Sequence, residues 1–104
     1  MSRKIEFTER ESTIQQKVIK FLKAKYPDAM VWKYHSGGRY GVSGMPDVWM
    51  IHAGRTYCLE VKRPGEKLTL LQQKTMDKLS VAGATVAVVH SIEEPLAAIR
   101  EVEV

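Results

Sequence analysis

The chain has 104 residues, 44% hydrophobic and 27% charged, the composition of a soluble globular protein with one domain over 1–104. No apolar run nears the ~18 residues of a membrane span, Met1-Ser2-Arg3-Lys4 lacks a signal peptide's apolar stretch, and the lone Cys58 excludes an internal disulfide framework or a multi-cysteine zinc site, so a cytoplasmic location and no membrane partner are expected. Sixteen basic against twelve acidic residues give +4, distributed as +6 over residues 1–67 and −2 over 68–104, which suits a polyanion such as nucleic acid and equally a mildly biased solvated surface.

The first helix is predicted to begin near Thr8, where Thr8-Glu9-Arg10-Glu11 has the capping-box form. Ile14, Val18, Phe21 and Leu22 follow at helical spacing, and Pro27 stops the run. Met30 to His35 is a strand candidate. A loop with four glycines in eight residues, Gly37 to Gly44, comes next. Asp47–His52 and Thr56–Lys62 then flank a short Ala53-Gly54-Arg55 turn, a hairpin signal. A second helix starts at the capping box Thr69-Leu70-Leu71-Gln72 and ends at Gly83. Thr85 to His90 reads as a central or well-covered strand because it is mostly apolar. A last helix is expected over Pro95–Glu101. The order α-β-β-β-α-β-α makes an α/β fold, a mixed sheet flanked by helices.

The chemistry gathers at Pro46-Asp47 and Glu60-Val61-Lys62. Residues two apart on a strand share a face, so Glu60 and Lys62 point together. Asp47 opens the partner strand of the same hairpin. Two carboxylates and an ammonium can therefore meet at one end of a ribbon. Phosphodiester hydrolysis uses such a set: hard oxygens hold Mg²⁺ (with Mn²⁺ as substitute), and a lysine orients water or offsets developing charge. A Glu-x-Lys triplet alone is weak, arising by chance in roughly one chain in three of this length. Its bland alternative is a cross-strand ion pair worth about 0.2–1 kcal/mol.

Glu11 shares the apolar stripe of Ile14 and Val18, and Gln15 lies one turn on. A carboxylate there is costly unless paired or bound to metal. As third residue of a capping box, Glu11 also has a purely structural reading. Both can hold. Gln72 likewise stands third in its own capping box.

Taken in order, Glu11…Gln15, Gly44-Met45-Pro46-Asp47, Glu60-Val61-Lys62 and Gln72 resemble the VRR-NUC family of the PD-(D/E)xK nuclease superfamily, over about Glu11 to His90. The resemblance implies a restriction-endonuclease-like core. It makes Asp47 and Glu60 metal-binding carboxylates, the Val61 carbonyl a further ligand, Glu11 a first-helix acid at the metal, Lys62 the active-site lysine and Gln72 the glutamine beside the site, with a purely capping Gln72 and a shift of register to Gln73 as its alternatives. It also implies a metal-dependent, structure-selective DNA endonuclease leaving 5′-phosphate and 3′-hydroxyl ends. The small stand-alone members resemble homodimeric resolvases of four-way (Holliday) junctions. A twofold dimer supplies two symmetric cuts, with Met50, Trp49 and Trp32 as interface candidates. Two rivals stand beside this reading: a non-catalytic nucleic-acid-binding module, and a nuclease subunit active only within a repair or restriction complex.

Arg39 and Tyr40 in the glycine loop offer a cation and a stacking ring to DNA. Lys33, Arg63 and Lys67 are further DNA-binding candidates. Lys17, Lys20 and Lys23 read as a solvated helix face. His35, His52 and His90 read as structural or surface residues, and Cys58 as an inert buried thiol.

Overall fold

A computed structural model describes residues 9–35 and 44–91. The predicted cap at Thr8, the loop residues Arg39 and Tyr40 and the helix over Pro95–Glu101 lie outside the described residues. The elements in chain order are α1 (Glu11–Lys25), β1 (Met30–Lys33), β2 (Val48–His52), β3 (Arg55–Val61), α2 (Leu70–Val81) and β4 (Thr85–Val89). This is the predicted order through the fourth strand.

The four strands form one mixed sheet in the order β1-β2-β3-β4. The first two pairings are antiparallel and β3–β4 is parallel, with α2 as the crossover. The hairpin turn is tighter than the predicted three residues. Ala53 and Gly54 alone make it, both with positive φ (52° and 78°), while Arg55 already pairs with His52. Two left-handed residues match the right-handed twist of the flanking strands.

Period-two alternation splits the sheet into two faces. Val31, Val48, Met50, Tyr57, Leu59, Val61 and Val89 share one, and α1 covers it with Ile14, Val18 and Leu22 to form the core. Fully burying a side chain such as Leu22 stabilises the fold by about 1.5–3 kcal/mol. Trp32, Trp49, Cys58 and Glu60 share the other face, where α2 lies. Met50 is therefore core and not an interface residue.

Two sequence expectations are corrected. α1 starts at Glu11 with Arg10 as N-cap and no side-chain cap bond, so Glu11 is the first helical residue and not the third of a capping box. β4 stands at the end of the described sheet and most of it is only half-buried, because β3 takes the central position and the deepest burial. The second helix keeps its predicted cap. Thr69 Oγ1 accepts from the Gln72 N–H at 3.1 Å, and Gln72 Oε1 accepts from the Thr69 N–H at 3.0 Å. Gly83, at φ 114°, follows the C-cap Ala82.

Candidate active site

The site forms where β2 begins and β3 ends. Val48 pairs with Leu59, so Asp47 and Glu60 stand opposite one another one step further on. Asp47 is held from two sides. Its backbone oxygen accepts from the Tyr34 N–H at 2.8 Å, and its Oδ2 accepts from the Val61 N–H at 3.0 Å. Within a strand, a residue's N–H and C=O face the same neighbour. The Val61 carbonyl thus points to the side where Asp47 lies.

Glu60 is 2% exposed and Lys62 8%. The Glu60 Oε2 accepts from the Gln72 side-chain amide at 3.2 Å, while its Oε1 is buried and meets no donor. Burial first, and then the adjoining Asp47 carboxylate, push the Glu60 carboxyl up to about 8, with the Lys62 ammonium pulling the other way. An orphaned carboxylate oxygen beside a second carboxylate is costly in a protein interior. A divalent cation would satisfy both acids at once, so these residues fit a metal. Among the described residues no three His, Cys, Asp or Glu side chains gather closely enough to hold an ion by themselves. Mg²⁺ does not require that, since it commonly takes one or two carboxylates and keeps several waters.

Glu11 approaches from the start of α1. Burial raises its pKa first, then contact with Glu66; Asp47 acts in the same direction and Lys62 against it. Glu66 moves oppositely, down to about 2, through its hydrogen bond with Glu11 and then the Arg63 backbone N–H. The two carboxyl groups thus share a hydrogen bond in which Glu66 is the more acidic partner. The Arg63 N–H donates to Glu66 Oε1 at 2.6 Å, and its guanidinium reaches Glu66 Oε2 at 3.5 Å.

Asp47, Glu60, Lys62, Glu11 and Gln72 therefore converge. Gln73 does not, since its amide turns to Asp77 at 3.0 Å. Gln15 is buried at 6% exposure. Lys33, Arg63 and Lys67 are exposed, as are Lys17, Lys20 and Lys23, with Lys17 paired to Glu9. Burial raises the Cys58 thiol to about 11, which keeps it unreactive at neutral pH.

Two contributors escaped the sequence reading. Glu66 follows a Pro-Gly turn, and its only signal is that the turn leads directly out of the Glu-x-Lys strand. His90 places Nδ1 3.2 Å from the carbonyl oxygens of both Lys62 and Arg63, so an N–H there steadies the strand end that carries the lysine. Nothing in an isolated histidine predicts this.

Gly44 explains the first residue of the Gly-x-Pro-Asp stretch. Its φ is 83°, and a Cβ would stand 2.8 Å from Leu71 Cγ and 2.9 Å from Thr75 Oγ1. The loop carrying Asp47 and the helix carrying Gln72 thus touch through a missing side chain.

Among the described residues, no helix is long and apolar enough to cross a membrane. No curated protein matches the chain. A solved structure described as a VRR_NUC domain superposes with a TM-score of 0.59 at 24% identity, covering 86% of this chain and 94% of that one, which establishes a shared fold. The family model for the VRR-NUC domain matches residues 4–93, so the chain belongs to the VRR-NUC family, whose domain implies a nuclease-type function.

Proposed function

We propose that this chain is a metal-dependent, structure-selective DNA endonuclease that resolves four-way junctions as a homodimer. The observation that carries the metal-dependent reading is the buried, donor-less Oε1 of Glu60 beside Asp47, backed by the Lys62 ammonium. Asp47, Glu60 and the Val61 carbonyl would hold Mg²⁺ or Mn²⁺, with Glu11 supporting from α1. The ion, when bound, supplies Lewis-acid polarisation of the phosphoryl oxygen and a more acidic water.

The chain's own residues do the rest. Lys62, nearly buried, offers a localised positive charge to the phosphoryl oxygens or orients the attacking water in line with the departing 3′ oxygen. Gln72 fixes the Glu60 carboxylate through its amide. The Val61 N–H fixes Asp47. Arg63, Lys67 and Lys33 are exposed cations for the phosphate backbone, and Arg39 and Tyr40 are the glycine loop's candidates. The dimer rests on symmetry, since two symmetric cuts call for two symmetric sites.

One experiment tests the whole reading. Labelled four-way, flap, duplex and single-stranded DNA are incubated with purified protein and Mg²⁺, Mn²⁺ or chelator, and the cuts are mapped. Paired symmetric nicks in the four-way substrate, lost in chelator, are the expected result. DNA binding without any nick at any metal refutes it.

A further inference from the structure

The strand end that carries Lys62 is held from the neighbouring strand by two bonds. The Lys62 N–H donates to the Val89 carbonyl at 3.0 Å. His90 Nδ1 then stands 3.2 Å from the Lys62 carbonyl oxygen and 3.2 Å from that of Arg63. Successive carbonyls of an extended strand point to opposite sides, so no single atom reaches both. The chain therefore leaves the sheet between Lys62 and Arg63, and His90 sits in the bend. We propose that His90 is a positioning residue for cleavage: its Nδ1–H pins these two carbonyls together, and thereby directs the Lys62 side chain and sets the turn that brings Glu66 to Glu11. The proposal rests on the nuclease reading and adds a residue to that same site.

The place of the proton follows from the partners. A carbonyl oxygen only accepts, so a ring nitrogen shared between two of them must carry hydrogen. His90 is thus fixed with its proton on Nδ1, as a three-centre donor. Both backbone groups of Lys62 are then bonded to Val89 and His90, which fixes the direction of its Cα–Cβ bond. Strand parity sends that side chain to the face of Glu60, where Lys62 lies 8% exposed.

The Arg63 carbonyl carries the hold further. It also accepts from the Glu66 N–H at 3.0 Å, closing the four-residue turn Arg63-Pro64-Gly65-Glu66. Pro64 in second place and Gly65 in third, at φ 88°, are the type II pattern. The turn folds Glu66 back, so that its Oε1 accepts from the Arg63 N–H at 2.6 Å and its carboxyl shares a hydrogen bond with Glu11. One imidazole N–H therefore anchors a run from the end of β4, through the turn, to the first residue of α1. Misplacing a reacting group by about 1 Å can cost on the order of 10²-fold in rate, so a donor that touches no substrate still governs turnover.

The test uses the full chain with and without metal. In chelator at pH 8, the ¹⁵N spectrum of the wild-type histidines is expected to place the His90 proton on Nδ1; a proton on Nε2 alone overturns the proposal. His90→Phe keeps a ring and loses the donor. Amide exchange at Glu66 should quicken in that variant, and single-turnover cleavage of the four-way junction with Mg²⁺ should fall at least tenfold, while junction affinity in chelator stays within threefold. His90→Asn, whose side-chain N–H stands the same number of bonds from the backbone, should return exchange and cleavage to within threefold of wild type. A ring needed only for packing would leave cleavage lost in the Asn variant, which overturns the proposal, as does a folded His90→Phe that cleaves at the wild-type rate. If His90→Phe fails to fold, the wild-type tautomer and His90→Asn decide: a proton on Nδ1 with cleavage within threefold supports the role, and a larger loss overturns it. Wild-type protein that nicks no DNA with Mg²⁺ refutes the nuclease reading and this role with it, whereas nicking that survives His90→Phe refutes this role alone.

Discussion

Gln72 grips Glu60: its side-chain amide donates to Oε2 at 3.2 Å, while the carbonyl oxygen of the same amide caps α2 at Thr69. One side chain therefore ties the helix start to the buried acid. Gln72→Ala is expected to cost about 1 kcal/mol of stability from the cap and to lower cleavage as Glu60 loses its orienting donor. Gln73→Ala, one residue on and exposed, should leave cleavage unchanged. Parallel melting and nicking assays on the two variants check this; equal loss of cleavage in both would remove Gln72 from the site.

The Glu60 carboxyl, lifted to about 8 from an ordinary 4.5, makes stability depend on pH. Between those values the folded protein holds a proton that the unfolded chain releases, so metal-free stability falls as pH rises from about 5 to 8. Below about 4.5 both states are protonated and the contribution levels off. Glu60→Gln should remove this slope, raise the melting temperature at pH 8 and abolish cleavage. Mg²⁺ should restore wild-type stability at pH 8. Urea melts across pH with and without metal measure each effect, and a flat wild-type profile would contradict the assignment.

Much of this site was legible in the sequence, for definite reasons. The Thr69 capping box and the Ala53-Gly54 turn are short-range signals, and both elements form where they point. Strand parity put Glu60 and Lys62 on one side and Asp47 opposite them. What stayed hidden depends on tertiary neighbours. Glu66 matters because α1 brings Glu11 to it. His90 matters because the parallel pairing of β4 lays it against the Lys62 carbonyl. The Thr8 box misled because it matched a local pattern while the helix begins three residues later at Glu11. The apolar run of β4 read as buried on both sides, but it lies beside only one described strand.

Asp47 serves the backbone as well as the chemistry, through its bond from the Val61 N–H at 3.0 Å. Asp47→Asn keeps an acceptor there and should lose metal-dependent cleavage with little change in melting temperature. Asp47→Ala leaves that N–H unpaired and should cost a further ~1–3 kcal/mol. Thermal melts beside nicking assays separate the two roles. Full activity in the Asn variant would show that the negative charge is not needed.

Lys62→Ala should reduce cleavage by about 10²–10³-fold, the usual loss when a transition-state donor is removed. DNA affinity should stay within a few fold, because exposed cations rather than a lysine at 8% exposure dominate backbone contact. Single-turnover cleavage and equilibrium binding on the same junction distinguish the effects. Near-normal turnover would refute the assigned role.

Gly44→Ala places a methyl group 2.8 Å from Leu71 Cγ on a backbone already at φ 83°. The expected cost is about 1–3 kcal/mol from overpacking and left-handed strain. Cleavage should fall too, since relief requires the Asp47 loop and α2 to move apart. Denaturant melts and a nicking assay measure both, and an unchanged melt would contradict the tight approach.

The two-residue turn at Ala53-Gly54 has a kinetic consequence. Hairpins close in microseconds, well before a helical crossover is laid across a sheet. The earliest tertiary contact along this chain therefore brings Asp47 opposite Glu60 while the helical residues Glu11 and Gln72 are still unplaced. At neutral pH that encounter is repulsive, and a proton or a divalent ion relieves it. The ribbon that equips the molecule for its chemistry is thus a brake on its own assembly.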